Sequence, residues 1–149
     1  MEDDFYMKIA FDEAVKAYNS GEMPIGAVIV MDNKIIASCH NMVEEKNDST
    51  CHAELLAIKE AARVISNWRL LSATLYTTME PCAMCAGAII NSRIKRVIIG
   101  AFEPVSGCCG SILDLLNNRY LNTCTEVKWL YDVNCSELIT NFFKMKRNN

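Results

Sequence analysis

Four side chains in two short segments are of the types and spacing that hold a metal and move a proton. The first segment is His52-Ala53-Glu54 and the second is Pro81-Cys82-Ala83-Met84-Cys85. Cys82 and Cys85 are three residues apart, so on a helix both point to one face and can chelate one ion. The positive end of a helix favours the thiolate form that binds metal. With His52 they make a three-donor set suited to Zn²⁺, one ion per chain, with a fourth tetrahedral position open for water. An ion held in this way lowers the pKa of its water from about 15.7 to about 7. Glu54 stands beyond the ligand set, where a carboxylate serves to shuttle protons.

A closed site would need a fourth donor. Cys51 adjoins His52, but neighbouring helix positions point about 100° apart. Cys39, Cys108, Cys109, Cys124 and Cys135 supply no second C-x₂-C pair. A closed or empty site is therefore the weaker reading.

Both segments must be positioned by helix starts. Pro81 suits a first helical turn, because its missing N–H has no partner there, and the helix runs through Ala83 to Ile90. The other helix is predicted over Cys51 to Ser66 from Leu55, Ile58, Ala62 and Ile65, with Asp48, Ser49 and Thr50 all competent as caps. Upstream, residues 4–19 carry a helical apolar face ended by Asn19-Ser20-Gly21. Gly26 to Met31 and Lys34 to Cys39 read as strands joined at Asp32-Asn33. Val43 to Thr50 reads as loop. Thr74 to Thr78, Arg96 to Gly100 and Thr125 to Leu130 read as strands, Ser111 to Leu116 as a short helical piece, and Asp132 to Lys146 as a closing helix. Strands alternating with helices indicate a layered α/β fold with a mixed sheet.

The 149 residues, 51% of them hydrophobic, suit one domain, 1–149, with a substantial core. No run is apolar enough to span a bilayer. The acidic start, Glu2-Asp3-Asp4, is unlike a signal peptide, and a cytoplasmic protein with reduced cysteines is the simplest expectation. The net charge of −3 speaks weakly against a general nucleic-acid binder. The charge is uneven, however: residues 1–80 hold seven Lys/Arg against thirteen Asp/Glu, and residues 81–149 hold eight against five.

The paired H-x-E and P-C-x-x-C segments are a signature of zinc nucleobase deaminases. The sequence resembles the cytidine-deaminase-like zinc deaminases and, among them, the bacterial tRNA-specific adenosine deaminases. The resemblance runs through Gly21 to Val28, Cys51 to Glu54, Ala73 to Thr78, Glu80 to Ala88, Ser92 to Ile94, Gly107 to Ser111 and Phe142-Phe143. It implies a three-layer α/β/α sandwich on a mixed five-stranded sheet. It also implies hydrolytic conversion of adenosine to inosine at the first anticodon position, with a tRNA anticodon loop as partner, and a homodimer. Asn41, Ala53, Glu103 and Phe143 are implied as substrate contacts; Phe142 reads as core, and His40 as a packed or hydrogen-bonded histidine. Two places depart from the resemblance. Glu103-Pro104-Val105-Ser106 and Asn122-Thr123-Cys124 stand where those enzymes commonly carry basic residues. A deaminase of a free base or nucleoside, or a non-catalytic zinc module, therefore stays open.

Overall fold

The computed structural model describes residues 2–148. Helix α1 (Glu2–Asn19) begins with Glu2, Asp3 and Asp4, carboxylates that complement the positive end of its dipole. The hairpin β1 (Gly26–Met31) and β2 (Lys34–His40) turns at Asp32 and Asn33, both with positive φ, residues that tolerate this conformation. Then follow α2 (Val43–Lys46), α3 (Ala53–Ile65), β3 (Thr74–Met79), α4 (Ala83–Asn91), β4 (Arg96–Ala101), β5 (Glu126–Trp129) and α5 (Val133–Arg147). The sheet order is β2-β1-β3-β4-β5. β1 is antiparallel to β2 and β3, while β3, β4 and β5 are parallel. This is the mixed five-stranded sheet of an α/β/α sandwich.

Strand periodicity assigns the two faces. Ala27, Ile29, Leu75, Val97 and Ile99 point to one side and pack with Ala57, Ala61 and Ile89 of α3 and α4. Val28, Val30, Tyr76 and Ile98 point to the other and pack with Tyr6, Met7 and Ala10 of α1 and Cys135 of α5. The three central strands are buried on both faces because helices cover both. Truncation of a wholly buried residue such as Leu75 to alanine would cost about 2–5 kcal/mol.

Three local expectations are corrected. Within 43–50 the chain forms the single helical turn α2, because the buried Glu22 carboxylate accepts the N–H groups of Glu44 (2.9 Å) and Glu45 (2.8 Å). The helix expected from Cys51 begins at Ala53, and Asp48 spends its side chain on Thr50 instead of capping it. Ser111 to Leu116 is not helical: Cys109 bridges Asp114, and Gly110 (φ 140°) turns the chain between them. The N–H groups of Leu113 and Leu115 go to the carbonyls of Gly107 (3.4 Å) and Cys108 (2.9 Å), not to those four residues back, so no helical turn closes.

Candidate active site

β3 and β4 end side by side, Met79 opposite Ala101, and the loops leaving these carboxyl ends carry the chemistry. His52 immediately precedes α3 with extended backbone, and Cys82 holds the same place before α4. Neither side chain caps its own helix, so imidazole and thiol are free to converge. His52 Nδ1 lies 3.6 Å from Cys82 Sγ and 3.6 Å from Cys85 Sγ, and the three donors fall within 4.8 Å of one another. A tetrahedral zinc ion, with nitrogen at about 2.0–2.1 Å and sulfur at about 2.3 Å, sets such a pair about 3.6 Å apart. The donor set fits that ion, through Nδ1 of the imidazole. Among the described residues no other group of three potential donors converges in this way, and Cys51 stays outside it.

The protons of this cluster are shared. Hydrogen bonds from Cys85 and His52 hold the Cys82 thiol down to a pKa of about 3, as a thiolate. Cys85 is pushed up by that neighbouring thiolate, by burial and by Glu54. His52 is raised by its hydrogen bond to Cys82. A divalent cation takes the place of such bridging protons, so metal binding releases them.

Glu54, in the first turn of α3, is 3% exposed, and burial pushes its carboxyl above the usual range. Its Oε1 lies 3.2 Å from Thr77 Oγ1, which is also 2.9 Å from the Met79 carbonyl. A hydroxyl has one proton and two lone pairs. Thr77 can therefore donate to the Glu54 carboxylate or, donating to Met79, accept from the protonated carboxyl. Both protonation states of Glu54 have a partner.

A cavity of about 560 Å³ opens over these groups. Asn41, Glu103 and Phe143 line it with His52, Glu54 and Cys82. Asn41 is buried with its N–H on the Ile25 carbonyl (3.1 Å), and its carboxamide has no partner among the described residues. Ala53 lies in the core, fully buried and outside this lining. Phe142 is buried against Tyr18, with Lys146 over its ring, and it also reaches the cavity. His40 sits elsewhere, its Nδ1 2.7 Å from Glu13 Oε2. The lining carries five carboxylates, Glu22, Glu44, Glu54, Glu80 and Glu103, against the single cation Lys146.

Three of those carboxylates, Glu22, Glu44 and Glu80, were not singled out from the sequence, and two of them, Glu22 and Glu80, are buried. Glu22 holds α2, as described above. Glu80, between β3 and Cys82, is buried and accepts from the N–H groups of Glu103 (3.0 Å), Cys109 (3.0 Å) and Ser111 (2.9 Å), and from the Ser111 hydroxyl. Gly107 packs against it so closely that a Cβ would stand 2.4 Å from the carboxyl carbon. One buried carboxyl group thus shapes the whole 103–111 loop beside the metal donors. The only signal in the sequence is a glutamate before Pro-Cys, which does not reveal its partners.

Residues 1–101 match the family model for the cytidine and deoxycytidylate deaminase zinc-binding region. The tRNA-specific adenosine deaminase of Bacillus subtilis (strain 168) is 45% identical over 147 residues, covering 98% of this chain and 91% of its own. A structure from a study of A-to-I editing by tRNA:A34 deaminases at the wobble position superposes with a TM-score of 0.87 at 37% identity, covering 91% of this chain and 99% of that one. Guanine deaminase from Bacillus subtilis superposes with a TM-score of 0.66 at 34% identity, covering 98% and 94%.

Proposed function

Because the chain belongs to the cytidine and deoxycytidylate deaminase zinc-binding family, we propose that it deaminates adenosine to inosine at the first anticodon position of tRNA. The observation that carries the chemistry is a buried Glu54 lining the same cavity as His52 and Cys82, with Cys85 converging on the same two donors. The choice of tRNA is supported by the adenosine deaminase relative at 45% identity and by the fit to the A34 deaminase structure.

One zinc ion per chain, held by His52 Nδ1, Cys82 Sγ and Cys85 Sγ, would supply the Lewis acidity that makes a water release its proton near neutral pH. Glu54 accepts that proton on a carboxylate oxygen and passes it to the N1 ring nitrogen of adenine. It then carries the second proton to the departing amine, so adenosine and water become inosine and ammonia. Thr77 stabilises the carboxyl in each state. The Asn41 carboxamide and the Glu103 carboxylate orient the nucleotide, and Phe143 stacks at the mouth, whereas Ala53, buried outside the lining, serves as packing beneath the site. The burial of Glu54 keeps bulk water from the proton it holds.

The enzyme acts in the cytoplasm as a homodimer on this reading. Ala83, Met84, Gly87, Ala88 and Ile90 leave part of the most apolar helix, α4, uncovered, and Gly87 has open space where a Cβ would stand. A second copy would bury that face, and light scattering would then return twice the mass of one chain. No described helix is long and apolar enough to cross a membrane.

Incubation of the zinc-loaded protein with tRNA and, separately, with adenosine, guanine and cytidine tests the reading. Inosine in tRNA alone supports it. Ammonia from guanine or another small substrate replaces it with a free-base deaminase. No product from any substrate leaves a zinc-binding module without turnover.

A further inference from the structure

Two smaller cavities continue from the active-site cavity along the carboxyl ends of the parallel strands. The first, of about 250 Å³, shares Met79, Glu103 and Phe143 with the active-site cavity and reaches Phe102. The second, of about 270 Å³, is lined by Phe102, Gly110, Trp129 and Tyr131. Together they form a track leading away from Glu54. Phe143, Phe102 and Tyr131 are 43%, 54% and 67% exposed along it.

The far end of this track is built, rather than left over. Tyr131 stacks on Trp129 with centroids 6.1 Å apart and planes at 18°. Trp129 packs over Gly110, where a Cβ would come within 3.1 Å of the indole. Tyr131 has φ of 51°, a left-handed conformation that is unfavourable for a bulky side chain. The Leu130 N–H on the Ile99 carbonyl (2.9 Å) and the Asp132 N–H on the Gly100 carbonyl (2.7 Å) hold it there. Strain kept by flanking bonds, with the ring left in solvent, is a pattern associated with function.

Charge decides what the track can hold. No lysine or arginine lines either outer cavity. Lys128, on the same strand as Trp129, is tied to Asp3 at 2.8 Å. Val105, after β4, and Thr123-Cys124, before β5, stand where the family resemblance leads to an expectation of basic residues. A phosphate backbone therefore finds no cation here, whereas the flat face of a base finds aromatic rings.

Resting on the reading of this chain as a tRNA deaminase, we propose that Phe102, Tyr131 and Trp129 are a stacking platform for unpaired nucleotides flanking the reacting adenosine. The occupant is single-stranded RNA, and continuity with the active-site cavity sets its path. The platform substitutes stacking for part of the phosphate contact that usually dominates RNA affinity.

The test is direct. Replacing Trp68 with phenylalanine leaves Trp129 as the only tryptophan of the two in the chain. Titration with an anticodon stem-loop oligonucleotide should then quench its fluorescence. Tyr131→Asn, a residue that accepts the left-handed conformation, and Phe102→Ala should each weaken that binding about ten-fold. They should also raise KM for tRNA more than they lower kcat. Binding by the W68F protein should weaken with salt less steeply than for a protein making six to ten phosphate contacts, which loses about 10³–10⁵-fold between 50 and 200 mM. Unchanged quenching, affinity and KM in both variants would overturn the platform, as would a change in oligomeric mass, which would assign this surface to a second copy. Failure of the deaminase reading is seen separately, as wild-type protein that forms no inosine in tRNA. Quenching of Trp129 by RNA would still support the platform in that case, and its absence would reject it.

Discussion

The turn into α3 and the turn into α4 each place a glutamate within two residues of a metal donor, and the fold treats the two carboxylates in opposite ways. Glu54 has two side-chain neighbours, the Cys85 thiol and the Thr77 hydroxyl, no backbone N–H among the described residues, and burial that pushes its pKa up. It is a carboxyl able to gain and lose a proton. Glu80 accepts three backbone N–H groups and a hydroxyl, all from the 103–111 loop. It is a side chain committed to holding that loop. Identical side chains at similar depth therefore do different work according to how many donors reach them. A buried carboxyl with few donors has its pKa raised, whereas one that gathers many donors ties together the segment they come from.

Substitutions can break this contrast. The largest effect on turnover belongs to Glu54→Gln, which should lower kcat at least about 10³-fold, about 4 kcal/mol, while zinc content by elemental analysis stays at one per chain. Activity within ten-fold of wild type would remove Glu54 from its role. Glu80→Gln presents an amide to N–H groups that need acceptors. We expect about 2 kcal/mol lost from unfolding free energy and KM raised about ten-fold, with kcat reduced much less. A kcat loss matching that of Glu54→Gln would mean that Glu80 acts on the reaction itself.

Gly107→Ala tests the same clamp from the other side. Its Cβ would press on the Glu80 carboxyl, and a smaller rise in KM should result, with destabilisation of about 1–3 kcal/mol in a denaturant titration. Asp3 carries the contrast away from the cavity. It is an anchored carboxylate like Glu80, with Arg96, Lys128 and Tyr76 as its donors. Arg96 chiefly holds its pKa below the ordinary 3.8. A carboxyl depressed by folding stabilises above its unfolded pKa and loses that contribution as pH falls toward the folded value. Wild-type stability should therefore fall as pH drops below about 4, and Asp3→Asn should flatten that acid limb while leaving kcat/KM within about two-fold. An acid limb unchanged by the substitution would count against the anchoring.

Much of the site was legible because its parts are local. A histidine or cysteine just before a helix, with its next functional group two or three residues on, has its geometry set by helix-start conformation. That is why His52 and Glu54, and Cys82 and Cys85, could be read as groups. The alternating strands were legible for a similar reason, since a period of two assigns faces without knowledge of the neighbours. The segments that misled were those whose backbone bonds go far away. Ser111 to Leu116 has apolar spacing compatible with a helix, yet its Leu113 and Leu115 N–H groups bond the carbonyls of Gly107 and Cys108 in the loop that Glu80 holds from 31 residues away. Val43 to Lys46 looks like loop until Glu22, 22 residues back, supplies its cap.

By itself, the sequence determined the donor types, the separate proton carrier and the alternation of helices and strands. Only the tertiary structure decided that Nδ1 is the histidine atom facing the thiols, that Glu80 and Glu22 shape the loops around the cavity, and that Phe102 and Tyr131 share one track. The division follows the range of the forces involved. Helix starts and strand faces are set by backbone geometry over a few residues, whereas a buried carboxylate must find its donors wherever the chain brings them.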